Sequence, residues 1–307
     1  MSSAFGPLRL IVNPRAGNGA VNRALPALAD ALRRRDLEHE IVLTTGRGHA
    51  TEAARAALKN GIRFLVAVGG DGTVQEVVNG MFADGQATAE DAVLGVVDAG
   101  SGADFVRTFG LDRSPEVLAR HFATDALMPI DIGRVRFVDA QGEPAERLFV
   151  NIAEVGYGAE VVRLAERLPR WMGRLRYLFA AWGAIAALDR AETTVSVAHT
   201  EMRTAVTDLV VANCQFFGGG MKAAPRALPD DGLYNVLVFT GPRSQVFNLT
   251  MKLFRGEHLP HPQISEYQSP TVSYDSGPPA RVEADGELLG FTPASFDLLP
   301  KALRLKI

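Results

Sequence analysis

The chain has 307 residues, 47 % of them apolar, with a formal net charge of −3 and one cysteine. That is enough apolar material for one large or two ordinary cores. It leaves no global basic field for nucleic acid, no internal disulfide, and no uninterrupted apolar run long enough to span a membrane as a helix.

Leu8 to Val12 is an apolar run that reads as a strand, and Asn13-Pro14-Arg15-Ala16-Gly17-Asn18-Gly19 follows it as a loop. Val21 to Arg34 carries Leu25, Leu28 and Leu32 on one helical face. Glu40 to Thr44 is a second strand running into Gly46-Arg47-Gly48-His49-Ala50. An alanine-rich helix then stops at Asn60-Gly61. Phe64 to Val68 is a third strand, and it ends at Gly69-Gly70-Asp71-Gly72-Thr73. Val74, Val77, Val78 and Met81 then recur at helical spacing. Thr73 and Glu76, three apart, predict a capping box that starts this helix. Val93 to Val97 is a fourth strand, leading into Asp98 to Asp104.

Strands alternating with helices predict parallel βαβ units. In such sheets ligands bind beyond the carboxyl ends of the strands. The four loops at Asn13 to Gly19, Thr44 to Ala50, Gly69 to Thr73 and Asp98 to Asp104 are all expected at that edge. Glycines let a ligand approach the backbone, and the N-terminus of a helix favours phosphate. Asp71 would repel phosphate unless a cation intervenes or the carboxylate handles a proton. Phosphoryl transfer assisted by Mg²⁺ satisfies both conditions.

Ser114-Pro115-Glu116 opens one more helix, ending near Ala123. Beyond Pro129 the pattern changes to short strands: Asp131 to Val138, Leu148 to Ile152, Thr193 to Ala198, Thr204 to Ala212, Tyr234 to Phe239, Thr271 to Tyr274, Ala280 to Ala284, Ser295 to Leu299 and Leu303 to Ile307. These predict an antiparallel β-rich sandwich or barrel-like domain, interrupted by a helical region from Ala159 to Leu188. The expected division is 1–127 for a nucleotide-binding α/β domain and 128–307 for the β-rich domain. The N-terminus lacks a basic region followed by a long apolar core, so a cytoplasmic location is expected.

Read from N- to C-terminus, NPRAGNG, GGDGTVQEVVNG, DAGSGADFVRTFG, NIAEVGYGAEVV, APRALPDDGLYNV and EADGE resemble the diacylglycerol kinase catalytic-domain family. The likeness is greatest to its small bacterial YegS-like lipid kinases, relatives of the sphingosine and ceramide kinases. It covers nearly the whole chain. The resemblance implies an N-terminal domain like those of NAD kinase and phosphofructokinase, with ATP in a cleft and a lipid hydroxyl entering between the domains. Asn13, Thr44, Gly69, Gly70, Asp71, Gly72, Thr73, Val74, Gln75 and Ser101 match nucleotide-binding positions. Asp231, with the carbonyls of Leu228 and Leu233, matches an Mg²⁺ site. Glu287 matches the catalytic base, with Asp285 and Asp71 beside it. The family's fourth loop usually reads PxGTxNDFAR. Asp98 for its Pro and Ala103 for its Asn are departures that predict weaker ATP affinity, a different nucleotide pose or reduced activity.

The implied function is ATP- and Mg²⁺-dependent phosphorylation of a diacylglycerol-like or long-chain-base-like lipid. The alternatives are a kinase of a soluble hydroxyl compound such as NAD, or a nucleotide- or lipid-binding protein without turnover. The lipid is expected at a membrane surface, with peripheral attachment at the inner face. Trp171 to Leu188, with Trp171, Met172, Leu175, Leu178, Phe179 and Trp182 among arginines, reads either as an interfacial helix or as one packed on the β-rich domain. Phe216 to Lys222, rich in glycine beside aromatics, is a candidate lipid entrance or a loop crossing. His49 and Arg15 are candidate phosphate contacts or surface groups. A homodimer is allowed and left open.

Overall fold

The computed structural model describes residues 3–98, 100, 102–111, 114–169, 172, 175–187, 192–242, 249 and 252–307. The chain forms two compact units, Met1–Asp131 with Lys301–Ile307, and Ile132–Pro300.

The first unit alternates strand and helix. In chain order it contains β1 (Leu8–Val12), α1 (Ala20–Arg33), β2 (His39–Leu43), α2 (His49–Lys59), β3 (Phe64–Gly69) and α3 (Asp71–Met81). A small hairpin of β4 (Phe82–Ala83) and β5 (Gln86–Ala87) precedes β6 (Val93–Asp98), α4 (Asp104–Phe109) and α5 (Pro115–Phe122). The strands lie in the order β6-β3-β1-β2, all parallel. β3 is buried throughout, as its unbroken apolar run requires of a central parallel strand. Leu10, Val66, Phe64, Leu32 and Phe122 share the core beneath it, with Phe64 and Phe122 edge to face. α3 lies so close to α2 that a Cβ on Gly80 would come within 2.4 Å of the Thr51 carbonyl oxygen.

The expected start of α3 is corrected here. The helix begins at Asp71 with Gly70 as its N-cap, and no side chain caps it. Glu76 instead accepts the backbone N–H groups of Gly48 (3.0 Å) and Ala50 (3.1 Å), satisfying the N-terminus of α2. The spacing of a capping box was present, but the glutamate serves a neighbouring helix.

The second unit contains most of β7 (Leu127–Val138), then β8 (Pro144–Phe149), β9 (Ile152–Gly156), α6 (Tyr157–Arg167), α7 (Leu175–Ala187), β10 (Glu192–Val197), β11 (Thr200–Ala205) and β12 (Asp208–Ala212). It continues with β13 (Tyr234–Phe239), β14 (Ile264–Ser269), β15 (Thr271–Ser276), β16 (Arg281–Ala284) and most of β17 (Glu287–Lys306). The pairing runs β14-β13-β12-β9-β16-β17, with β10 between β11 and β15 and β8 on β7. Every registered pair within the unit is antiparallel. Phe149, Tyr234 and Phe296 anchor its main core, with Phe149 stacked on Tyr234.

The parallel α/β unit and the antiparallel β-rich unit are the expected fold class. Several strand limits differ. Leu148 to Ile152 is two strands parted at Val150-Asn151. Thr204 to Ala212 breaks at Val206-Thr207. The two strands expected after Ser295 are one strand, β17, and β14 was not expected at all. The end of β17 pairs in parallel with β6, placing Arg304 beside Val93 and Leu305 beside Leu94. Lys306, 2 % exposed, donates to Thr124 Oγ1, Ala126 O and Ile307 O at 2.8–2.9 Å.

Candidate active site

In the first unit the sheet delivers four loops to one edge, and specific bonds tie them together. Asn13, just past β1, donates its backbone N–H to Val68 O (2.9 Å) and its side-chain amide to Thr73 Oγ1 (3.4 Å). Thr44 continues the β2 pairing by donating to Val12 O (2.8 Å). A Cβ at Gly69 would fall 2.3 Å from Thr73 Oγ1, so glycine there lets the threonine hydroxyl fold back over the turn. Gly70 and Gly100 press together, backbone to backbone: a Cβ on Gly100 would lie 2.6 Å from Gly70 Cα.

Gly72 differs from these. A Cβ there would meet nothing within 4 Å, and Gly72 is exposed in the first turn of α3. Thr73 N–H already donates to Gly70 O (2.8 Å), the N–H groups ahead of it have no acceptor within the helix, and the helix dipole adds positive potential. Backbone donors beside open space, with no side chain intervening, fit a phosphate group. Val74 and Gln75 are buried, so their side chains face the core.

Asp71 has a structural partner that the sequence did not reveal. Its Oδ1 accepts the N–H of Phe105 (3.0 Å) in the first turn of α4. A Cβ at Gly102 would fall 2.4 Å from Asp71 Oδ2. The carboxylate thereby joins the β3 loop to the β6 loop. Ala103, where the resembling family carries Asn, is the N-cap of α4 at φ 59°, in the left-handed region that disfavours alanine. Asp98 turns back on its own loop, its Oδ1 accepting from Gly100 N–H (3.1 Å). Ser101 lies outside the described residues. His49 Nδ1 accepts from Thr45 N–H (3.0 Å). Arg15 donates its backbone N–H to Asn13 Oδ1 (3.1 Å).

In the second unit the β16–β17 turn is Asp285-Gly286, with φ 50° and 80°, the primed hairpin geometry that Asp-Gly favours. The Asp285 carboxylate accepts three backbone N–H groups, from Val150 (2.8 Å), Asn151 (2.9 Å) and Ile152 (3.2 Å). It thus holds the corner that parts β8 from β9. Asn213 and Cys214 bond the same corner through Val150 O. Cys214 is a buried free thiol. Glu287 opens β17 and receives Arg147 Nη2 on its Oε2 at 3.0 Å. Both side chains are partly buried. No motif marked Arg147. It pairs with Val135 across the β7–β8 hairpin, far from Glu287 in sequence.

Asp231 sits in an exposed turn before β13, where its Oδ1 accepts from Leu233 N–H (2.9 Å). One carboxylate and the carbonyls of Leu228 and Leu233 make a donor set of hard oxygens, the chemistry Mg²⁺ takes. Among the described residues there is no cluster of three or more His, Cys, Asp or Glu arranged to hold a metal.

Three buried carboxyls of the second unit were not singled out from the sequence: Glu154 on β9, Asp208 on β12 and Glu283 on β16. Burial pushes Glu154 well above its usual range, with Asp208 and Glu283 adding like charge. Burial likewise raises Asp208 to about 7 and Glu283 to about 8. Elsewhere in the unit, Gly218 to Gly220 form a tight loop closed by paired bonds between Phe217 and Met221 (3.0 Å each). α7 packs Ala180 and Ala184 inward and leaves Phe179 and Trp182 more than half exposed; Trp171 is not among the described residues.

Residues 7–135 match the model of the diacylglycerol kinase catalytic domain, and residues 151–307 match that of the YegS C-terminal NAD kinase beta sandwich-like domain. The chain belongs to the YegS-like diacylglycerol kinase family. A diacylglycerol kinase of Mycobacterium tuberculosis is 28 % identical, with 98 % of this chain and 95 % of the relative covered. A diacylglycerol kinase of Bacillus subtilis is 26 % identical over 94 % and 92 %. The crystal structure of a diacylglycerol kinase from Bacillus anthracis shares the fold, with a TM-score of 0.70 at 19 % identity over 99 % of this chain and 97 % of that one. No helix among the described residues of this family member is long and apolar enough to cross a membrane.

Proposed function

We propose that this lipid kinase family member transfers the γ-phosphoryl group of ATP to a hydroxyl of a diacylglycerol-like or long-chain-base-like lipid, with Mg²⁺. The observation that carries this reading is the first turn of α3, where Gly72 presents backbone beside open space and three further loops are bonded to the same sheet edge. Gly70 to Thr73, with Asn13 and Thr44, would hold the nucleotide phosphates. Asp71 holds the β6 loop in place by its bond to Phe105. Asp231 and the carbonyls of Leu228 and Leu233 would hold Mg²⁺, which when bound neutralises negative charge. Its role there is structural.

Glu287 is the general base. Its carboxylate accepts the proton of the lipid hydroxyl as that oxygen bonds to phosphorus and the bond to ADP breaks. The Arg147 guanidinium, 3.0 Å from Glu287 Oε2, aims the carboxylate. Asp285, within the turn, ties it to the corner between β8 and β9. The acceptor is met at a membrane surface, a reading supported by the exposed Phe179 and Trp182 of α7, since aromatic rings favour the bilayer interface.

The test uses γ-labelled ATP, Mg²⁺, vesicles of candidate lipids, NAD, and a control without acceptor. Label is expected in the organic phase. Label in NAD would replace the lipid with a soluble acceptor, and ATP binding without transfer would reduce the protein to a binding module. Glu287→Gln is expected to lower transfer by a factor of about 10²–10⁴ while ATP binding persists. Undiminished transfer would remove Glu287 as the base.

A further inference from the structure

Glu154 and Glu283 are register partners across β9 and β16. Each is 2 % exposed, and their carboxyl groups lie within hydrogen-bonding reach of each other. Two carboxylates are acceptors only, so a bond between them needs a proton. Glu283 also reaches forward, its Oε2 accepting the N–H of Gly286 at 2.9 Å. That amide belongs to the two-residue turn whose next residue is Glu287. We infer that Glu283, sharing a proton with Glu154, is a positioning residue that holds the Asp285-Gly286 turn and so sets where Glu287 points.

The surroundings supply further acids. Asp208, on β12, faces the pair and accepts Gly158 N–H (3.2 Å) at the start of α6. Asp285, at the turn, adds negative charge to Glu283. Tyr157 of α6 and Tyr274 of β15 lie in the same acidic field, both raised first by burial. Of the charged groups of α6, which are Glu160, Arg163, Glu166 and Arg167, Glu160 pairs with Arg163 and with Arg281 of β16. Arg147 pairs with Glu287. Among the described residues no cation forms an ion pair with Glu154, Asp208 or Glu283. The small Gly158 gives the acids their room: a Cβ there would lie 2.0 Å from Glu154 Oε2.

The pair therefore works only while it keeps a proton. With one proton, the shared O–H···O bond is short-range and directional. With none, two like charges face each other in a low-dielectric layer with Asp208 as a third. The repulsion draws Glu283 off Gly286 and loosens the turn beneath the base. The sign follows from burial. The folded-state values lie above those of the unfolded chain: near 8 Glu283 gives up its own proton while Glu154, raised well above its usual range, keeps the shared one, so the support is complete at low pH and is lost only on the alkaline side of that value. The alkaline limb of activity belongs to this pair.

This inference rests on the reading of Glu287 as base, and its test separates the two. The pH profile of kcat is measured for the full chain, Glu283→Gln and Glu154→Gln. A glutamine at either position supplies an N–H donor to the remaining carboxylate without any titrating proton. In Glu283→Gln the side-chain amide carbonyl still accepts from Gly286. Both variants are expected to move the alkaline limb up by about one pH unit or more, with the acid limb unmoved. Glu283→Ala is expected to lower kcat at every pH with lipid KM little changed, and Glu283→Gln to recover it.

The amide resonance of Gly286 is followed in parallel by NMR. It is expected to titrate with the alkaline limb in the native chain and to stop doing so in both glutamine variants. Alkaline limbs and Gly286 titrations that superimpose on the native ones overturn the inference, even where Glu287→Gln is inactive. If Glu287→Gln is fully active, the base assignment fails and the Gly286 titration alone decides whether the pair holds the turn.

Discussion

Both units place a carboxylate within a glycine-containing loop, and they neutralise it in opposite ways. In the first unit Asp71 gives one oxygen to the Phe105 N–H of a helix start and stays at the surface. In the second, Asp285 takes three backbone N–H groups, and behind it Glu283 and Glu154 sit in the interior with a proton between them. A carboxylate at the edge of a parallel sheet can lean on helix dipoles. One on an antiparallel hairpin has none aligned with it and must find separate donors. The second arrangement, through Glu283 and Glu154, is sensitive to pH.

The comparison can be broken most severely at Asp285. Asp285→Ala removes the acceptor of three N–H groups and is expected to destabilise the second unit by about 2–4 kcal/mol. Denaturant melts read this, and a loss under about 0.5 kcal/mol, the bound for an ordinary surface change, would mean that water replaces the carboxylate.

A smaller change sharpens the first unit. Gly72→Ala meets no steric obstacle and improves helix propensity, so stability should rise by about 0.5–1 kcal/mol. The new methyl group enters the space assigned to phosphate, and ATP affinity should fall by about tenfold, or 1.4 kcal/mol. Calorimetric titration with ATP checks the second part. A more stable protein with undiminished ATP affinity would move the nucleotide away from this turn.

The smallest effect is expected at Ala103→Asn, which places a residue tolerant of positive φ at a left-handed position. A gain of about 0.5–1 kcal/mol follows from the backbone alone. Any change in KM for ATP beyond it measures the amide that the departure from the family pattern removes.

Much of the first unit was legible because its signals are local. Apolar runs of parallel-strand length end in glycine loops, and sheet topology alone brings those loops to one edge. Asp71 was recognisable as an anomaly, since a carboxylate stood where an anion site was expected. What it bonds was not, because Phe105 belongs to another loop. Glu76 misled for the same reason: its spacing from Thr73 is local, while its partners Gly48 and Ala50 lie on the preceding helix.

In the second unit the missed residues are those whose partners come through pairing. Arg147 meets Glu287 only after the β7–β8 hairpin has formed and β17 has begun. Glu154 and Glu283 each interrupt an apolar strand, in NIAEVG and RVEADG. That acid in a buried alternation was the available signal, but nothing in either stretch says that the two glutamates face each other. β14 escaped because Ile264 to Ser269 mixes buried and exposed positions without a period.

The last seven residues of the chain fold with the first unit, and the strand that carries them arrives only after all of the second unit has been made. On the ribosome, β6 must therefore wait with one side uncovered while every residue of the intervening unit is synthesised. An N-terminal fragment ending before Lys301 would keep that open side permanently, a ready template for self-association. The order of translation makes the second unit an insertion in the sequence of the first, whose own sheet is finished last.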